Sequence, residues 1–231
     1  MNTRVPDTLP ELRVLFHDDW LLVVMKPSGL VVHNGWAREE VNALSLARRL
    51  ARRHVYPLHR LDRGCSGVLA FALSSERTSA LQSALAAPGA YKRYLALVRG
   101  ITPACGHVDY PLAKTKGGDK RPAITHFRRL ATFERYTLLE ATPLTGRLHQ
   151  LRRHLRHLGH PLIGDVRYGK REHNHLLRDR FGLGRLALHA TTLSFVHPGT
   201  NLRLDLNASL PDDLAQPLAR MGLTWPEASP E

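Results

Sequence analysis

The stretch His59-Arg60-Leu61-Asp62-Arg63-Gly64-Cys65-Ser66-Gly67 places one carboxylate among two guanidiniums and an imidazole, just before the apolar run 68–73. Neighbouring cations favour an ionised carboxylate, and a nucleophile or proton acceptor must be ionised to act at neutral pH. Asp62 is therefore the first candidate for chemistry. The same residues also read as a solvated ion pair leading into an ordinary turn.

Outward from this stretch, short β-branched or aromatic runs predict strands over 12–16, 21–25, 68–73, 94–98, 124–130, 136–141, 190–195 and 202–206. Helices are expected over 43–53, 76–86 and 149–158, the second capped by Ser74 or Ser75. Many strands follow one another without a helix between them, which favours an antiparallel or mixed sheet and an α+β class. One domain over 11–223 is the simplest organisation, with polar, Pro-bearing tails at 1–10 and 224–231.

A formal charge of +13 and a pI near 10.5 imply a field that draws in polyanions: nucleic acid first, acidic membrane surfaces next, acidic proteins last. Fourteen histidines would add charge in mild acid and strengthen that attraction. Cys65 and Cys105 are too few for a disulfide framework and lack the spacing of a zinc pair, so a reducing cytoplasm is expected. Neither a signal-like leader nor eighteen consecutive apolar residues occurs, and no membrane association is expected. No dinucleotide or Walker glycine pattern is present, so no cofactor is expected. His154, His157 and His160 have no acidic or Cys neighbour that would make them a metal set.

The opening stretch resembles the His-Arg-Leu-Asp-x-x-Thr-Ser-Gly signature of RluA-type pseudouridine synthases. Lys26-Pro27-Ser28-Gly29 with Val32-His33, then Lys92-Arg93-Tyr94, then Thr145-Gly146-Arg147-Leu148-His149-Gln150-Leu151-Arg152 resemble the family's other motifs, in the family's order. The likeness runs from about Leu12 to about Leu210. Trp36, the run Pro122-Ala123-Ile124-Thr125-His126-Phe127 and the block 152–189 bring it nearest to a tRNA-acting branch. The resemblance implies a long, mixed, largely antiparallel sheet flanked by helices and loops around a central RNA-binding cleft. It implies no cofactor, no metal and no obligate protein partner, with RNA, foremost tRNA at uridine 65, as the substrate.

It assigns Asp62 as the catalytic carboxylate, Arg152 as its paired guanidinium, and Tyr94 as the ring that packs on the target base and a route for the C5 proton. Arg60 would fill the gap left by a flipped uridine. The motifs further offer His59, Lys92, Arg147, His149, Gln150 and Arg153 as substrate-binding residues. Arg152 could grip Asp62 through two parallel hydrogen bonds. Read from the residues alone, Arg152 equally sits on a solvated helix face, Tyr94 in a strand core, and Arg60 in a surface ion pair.

Leu148, Leu151, Leu155 and Leu158 at helical spacing leave Arg152, Arg153, His154, Arg156 and His157 on other faces, an amphipathic basic helix suited to phosphate contacts. The stretch 113–121, with Lys114, Lys116, Lys120 and Arg121 around Gly117-Gly118, reads either as a substrate-selecting loop or as a surface connection. One departure is Cys65, where the family signature has Thr. Ribosomal RNA as the substrate, or RNA binding without catalysis, are the competing readings.

Overall fold

The computed structural model describes residues 11–34, 41–115 and 117–225; Trp36, Lys116 and the expected tail 1–10 lie outside them, as do residues 226–231 of the other tail. In chain order the elements are β1 (Arg13–His17), β2 (Leu21–Lys26), α1 (Ala43–Ala51), β3 (Tyr56–Pro57), β4 (Ser66–Ala72), α2 (Ser75–Ala86), β5 (Tyr91–Arg99), β6 (Cys105–Asp109), β7 (Leu112–Ala113), β8 (Lys120–Arg121), β9 (Ile124–Phe133), β10 (Tyr136–Pro143), α3 (Gln150–His157), α4 (Arg171–Phe181), β11 (Leu188–Val196), β12 (Arg203–Asn207) and α5 (Asp212–Arg220). Each expected strand and helix is there, with ends moved by a few residues. Ser74 is the α2 cap, accepting from the Arg77 amide. The sequence reading missed α4 and α5, whose polar composition hides their few core-facing leucines, and the short strands β3, β6, β7 and β8.

The main sheet has ten strands in the order β1-β2-β4-β11-β5-β10-β9-β6, with β12 also on β11 and β3 on β4. All its pairs are antiparallel except β11 with β4. Strand alternation sorts the core into two faces. Leu22, Val24, Leu69, Phe71, Tyr94, Ala96, Val98, Leu139 and Ala141 face one way, where Ala43, Leu46 and Ala47 of α1 and Leu151 and Leu155 of α3 cover them. On the other face, one cluster gathers Leu95, Leu97, Tyr136 and Leu138 with Leu177 of α4 and Leu214 and Leu218 of α5. A second gathers Leu21, Val23, Val68 and Ala70 with Leu81 of α2. Trp225 packs against the α4–α5 side, so the core reaches into the expected C-terminal tail.

β11 lies between β4 and β5 and so joins the half of the sheet that ends at Asp62 to the half that carries Tyr94. The junction is tight. A Cβ on Gly67, at φ +115°, would lie 2.1 Å from the Ala190 carbonyl oxygen, so only glycine permits the parallel contact.

Candidate active site

Asp62 sits in the turn before β4, where its carbonyl accepts from the Cys65 amide. The turn is clamped by the Lys26-Pro27-Ser28-Gly29 segment. The Gly29 amide donates to Arg63 O (2.8 Å), Ser28 Oγ to Gly64 O (2.9 Å), and Arg63 Nε back to Gly29 O (3.0 Å). Lys26 is fully buried, and its Nζ donates to the carbonyls of Pro27, Leu30 and Arg63. Burial lowers its pKa to about 8, against the pull of Cys65 and Asp62. Behind the turn, Arg185 donates to Ser66 Oγ (2.7 Å), so the Ser66 hydroxyl donates to His189 Nδ1 (2.7 Å), and His189 Nε2–H donates to Ala208 O. That chain requires a neutral imidazole, and burial holds His189 down at about 4.

The 145–152 motif folds around Gln150. Its Oε1 accepts from Thr145 Oγ1 (2.8 Å) and the Arg147 amide (3.0 Å), and its Nε2 donates to Ile124 O and Thr125 Oγ1. Gln150 is buried, with both ends of its amide engaged by the protein, so it braces the motif from within. His149 adopts φ 52° just before α3, turning its ring toward Asp62. Its Nε2 is 3.9 Å from Asp62 Oδ1, and its Nδ1 shares a 3.0 Å hydrogen bond with the Tyr168 hydroxyl. Burial lowers its pKa, although Asp62 pulls the other way.

Arg152 joins the two halves of the site. Its Nη1 donates to Asp62 Oδ2 at 3.0 Å. Its two-pronged grip falls elsewhere than expected: Nε and Nη2 donate to Asp165 Oδ2 and Oδ1 at 2.7 and 2.9 Å. Asp165 has no exposed side-chain surface and also accepts from the amides of Arg167 and Tyr168, while the Tyr168 ring lies 5.1 Å from the guanidinium carbon. Burial opposes the charge on both partners, yet their hydrogen bonds win: Arg152 is pushed up and Asp165 down. Asp62 thus receives one hydrogen bond from a guanidinium fixed by a second carboxylate, and keeps 22% of its side chain open to solvent.

Tyr94 lies beneath, nearly buried on the same face. Burial, then the charges of Cys65 and Asp62, drive its phenol well above the usual tyrosine range. The ring therefore keeps its proton at neutral pH. Cys65 is buried and its thiol pushed up to about 12; it donates weakly to Ser66 O.

The other expected contacts divide. Arg60 is exposed and makes no side-chain hydrogen bond or ion pair among the described residues. His59 turns inward: Nε2 accepts from the Ala70 amide, Nδ1 is buried without a partner, and burial, then Lys92, lowers its pKa to about 3. Burial also lowers the pKa of Lys92. Arg147 donates to Pro122 O and Arg153 to Ala113 O, so both brace the ends of the 113–121 stretch.

His154, placed among the phosphate-facing residues by its spacing, is fully buried between Thr125 Oγ1 and Tyr110 O, while Leu148 and Leu158 are exposed. Helical spacing gives a stripe, but the end of a short helix leaves the sheet before the stripe does. His157 stacks on Tyr110 and His160 bonds to Arg99 O, so the three histidines serve separate ends. Because His59, His149, His154, His173 and His189 are all held low, these five oppose the expected gain of charge in mild acid.

Asp165 and Tyr168 were missed. The available signal was an acid after Gly164 in a chain with far more bases than acids, where a buried cation needs a counter-charge.

The chain belongs among enzymes that rebuild a nucleotide within RNA. The RNA pseudouridylate synthase family model matches residues 20–157, and the chain belongs to that family, whose members isomerise uridine to pseudouridine. It is 40% identical to proteins named tRNA pseudouridine synthase C from Haemophilus ducreyi, over 87% of this chain and 91% of that one, and from Vibrio parahaemolyticus, over 94% and 97%. Among solved structures, human RNA pseudouridylate synthase domain containing 4 superposes with a TM-score of 0.77 at 24% identity, covering 93% of this chain and 95% of that one, a likeness of fold. The matched span holds Asp62, Tyr94 and Arg152 but ends before Asp165.

Proposed function

We propose that this enzyme acts on tRNA, at uridine 65, with Asp62 as the catalytic carboxylate. The observation that carries the reading is the posture of Asp62: one oxygen on Arg152, the other near His149, and an open side toward solvent. Forty per cent identity to tRNA-named relatives over nearly the whole chain supports the substrate. The likeness of 122–127 and 152–189 to the tRNA-acting branch supports the position. Residues 11–223 act as one catalytic domain, supported by a single main sheet running from β1 to β12. Among the described residues no helix is long and apolar enough to cross a membrane, and the cytoplasm, where tRNA is modified, is the proposed location.

The reaction breaks the bond from N1 of the base to C1′, turns the base and joins C5 to C1′; C5 loses a proton and N1 gains one. No electrons or phosphate leave the substrate, so the chemistry calls for no redox or phosphoryl cofactor. Asp62 serves the sugar or base as the anion that attacks or stabilises. Arg152, held by Asp165 and Tyr168, keeps that anion in one place without covering both oxygens. Tyr94 offers an apolar ring face on which the target base packs and a neutral hydroxyl that can hydrogen-bond to it. Arg60 is free to stack where the uridine leaves.

The test is tritium release from tRNA transcripts bearing C5-labelled uridine, comparing the wild type with Asp62→Ala. Release by the wild type alone, mapped to position 65 and with RNA affinity retained in the variant, is expected. Release from ribosomal RNA only would overturn the tRNA assignment, and release by Asp62→Ala would overturn the role of Asp62.

A further inference from the structure

The site leaves a dense run of exposed positive charge unused among the described residues. At the C-terminal end of α1, Arg48, Arg49, Arg52, Arg53 and His54 are all exposed, and none makes a side-chain hydrogen bond, ion pair or ring contact among the described residues. Several exposed arginines elsewhere are paired, Arg128 with Glu140, Arg178 with Asp179, Arg180 with Glu134 and Arg203 with Asp205, whereas Arg60 and Arg156 stand singly without a side-chain partner among the described residues. The helix C-terminus accounts for part of the preference at Arg48 and Arg49, since cations there meet the negative end of the macrodipole. It does not account for Arg52 and Arg53 following without an acid, where like charges repel.

The position of α1 gives the run a purpose. The helix packs on the sheet face that carries Tyr94. Its first amides donate to Val31 and Val32 carbonyls, just beyond the β2 end that faces Gly67 beside the site. Its last turn leads to Tyr56, which pairs with Ala72 at the other end of β4. Seven strand residues separate the two ends, about 20 Å at ~3.3 Å per residue. An RNA strand presents a phosphate every few ångströms, so an RNA seated at Asp62 carries several across that distance.

We infer that the exposed C-terminal end of α1 is a second RNA-docking surface, binding backbone phosphates about 20 Å from the uridine that enters at Asp62. The inference rests on the proposed function for its substrate. The surface grips without reading sequence, because guanidiniums meeting phosphates fix register and not identity. It supplies affinity for the body of the RNA and leaves the chemistry at Asp62 alone.

The experiment changes Arg48, Arg49, Arg52 and Arg53 together to Gln and measures affinity for full-length tRNA across a salt series, alongside tritium release at saturating RNA. A variant with Arg128, Arg178, Arg180 and Arg203 changed to Gln removes the same formal charge from paired positions, and an Arg-to-Lys version of the α1 set keeps the charge. Expected for the Gln variant are a log–log salt slope smaller by about 3 and an affinity loss of order tenfold or more at physiological salt. Its kcat is unchanged, a hairpin containing only the target arm loses less affinity, and the Lys version keeps the wild-type slope. Equal losses in the two Gln variants, or an unchanged slope, overturn the surface. If the wild type releases no tritium from tRNA while the α1 variant alone loses its slope, the proposed function fails and the surface stands.

Discussion

The helices α1 and α3 cover the same sheet face, and each, counting the residues just after α1, carries five basic residues, yet they use them in opposite directions. In α3, Arg152 binds Asp165 and Asp62, Arg153 holds a carbonyl and His154 is buried, leaving Arg156 exposed and without a side-chain partner among the described residues. In α1 the arginines all face water. Both helices add to the net charge, but only α3 turns cations inward, onto Asp62 and Asp165. A count of basic residues therefore says less than the direction of each side chain, which on the proposed reading separates catalysis from docking.

Changes on the inward side sharpen the contrast most. Arg152→Lys keeps the charge but loses the fork shared by two carboxylates, and turnover in the tritium assay should fall about a hundredfold through misplacement of Asp62. Binding to tRNA should stay within a few-fold; comparable losses in both would erase the distinction between the helices. Next comes the cost of inward imidazoles. His189 is held at about 4 against an ordinary 6.5, so its neutral form is favoured by folding. Its contribution is whole above pH 6.5 and is lost as pH falls toward 4, roughly 3 kcal/mol at ~1.4 kcal/mol per pKa unit. Urea unfolding at a series of pH values should show that decline, and His189→Gln should flatten it while lowering stability at neutral pH.

On the outward side of α3, Arg156→Gln should reduce the salt slope of tRNA binding by about 1 and leave kcat unchanged. The smallest effect is expected for Cys65→Thr. The thiol's hydrogen bond to Ser66 O can be made by a hydroxyl, so turnover should stay within about twofold; a large change would mean that the turn beside Asp62 tolerates less than its geometry suggests.

The sequence makes some of these layers legible. β2, β4, β5 and β10 stand out as near-continuous apolar runs because both faces of the sheet are covered, and the motif spacing brings Asp62, Tyr94 and Arg152 forward. Partner choice is harder to read. Nothing in the order of residues says that Arg152 will give two of its hydrogen bonds to Asp165, since that depends on a loop whose Asp folds back onto its own amides. The same gap hides the inward turns of His59, Gln150 and His154: all three are polar at motif or helical positions, and only the packed backbone around them shows that their partners lie within the protein. The α4 and α5 helices escape notice because one buried leucine in the first and a few apolar positions in the second suffice once a preformed sheet is there to receive them.

The glycine contact between β4 and β11 also governs when the enzyme can exist. Residues 66–72 and 91–99 are made early in synthesis, but the strand that joins their halves of the sheet is 188–196, made late. Until that strand is inserted, the halves bearing Asp62 and Tyr94 have no common frame. Such distant pairing slows folding. On the proposed roles of Asp62 and Tyr94, the site is expected to come together only once 188–196 has been made, late in synthesis.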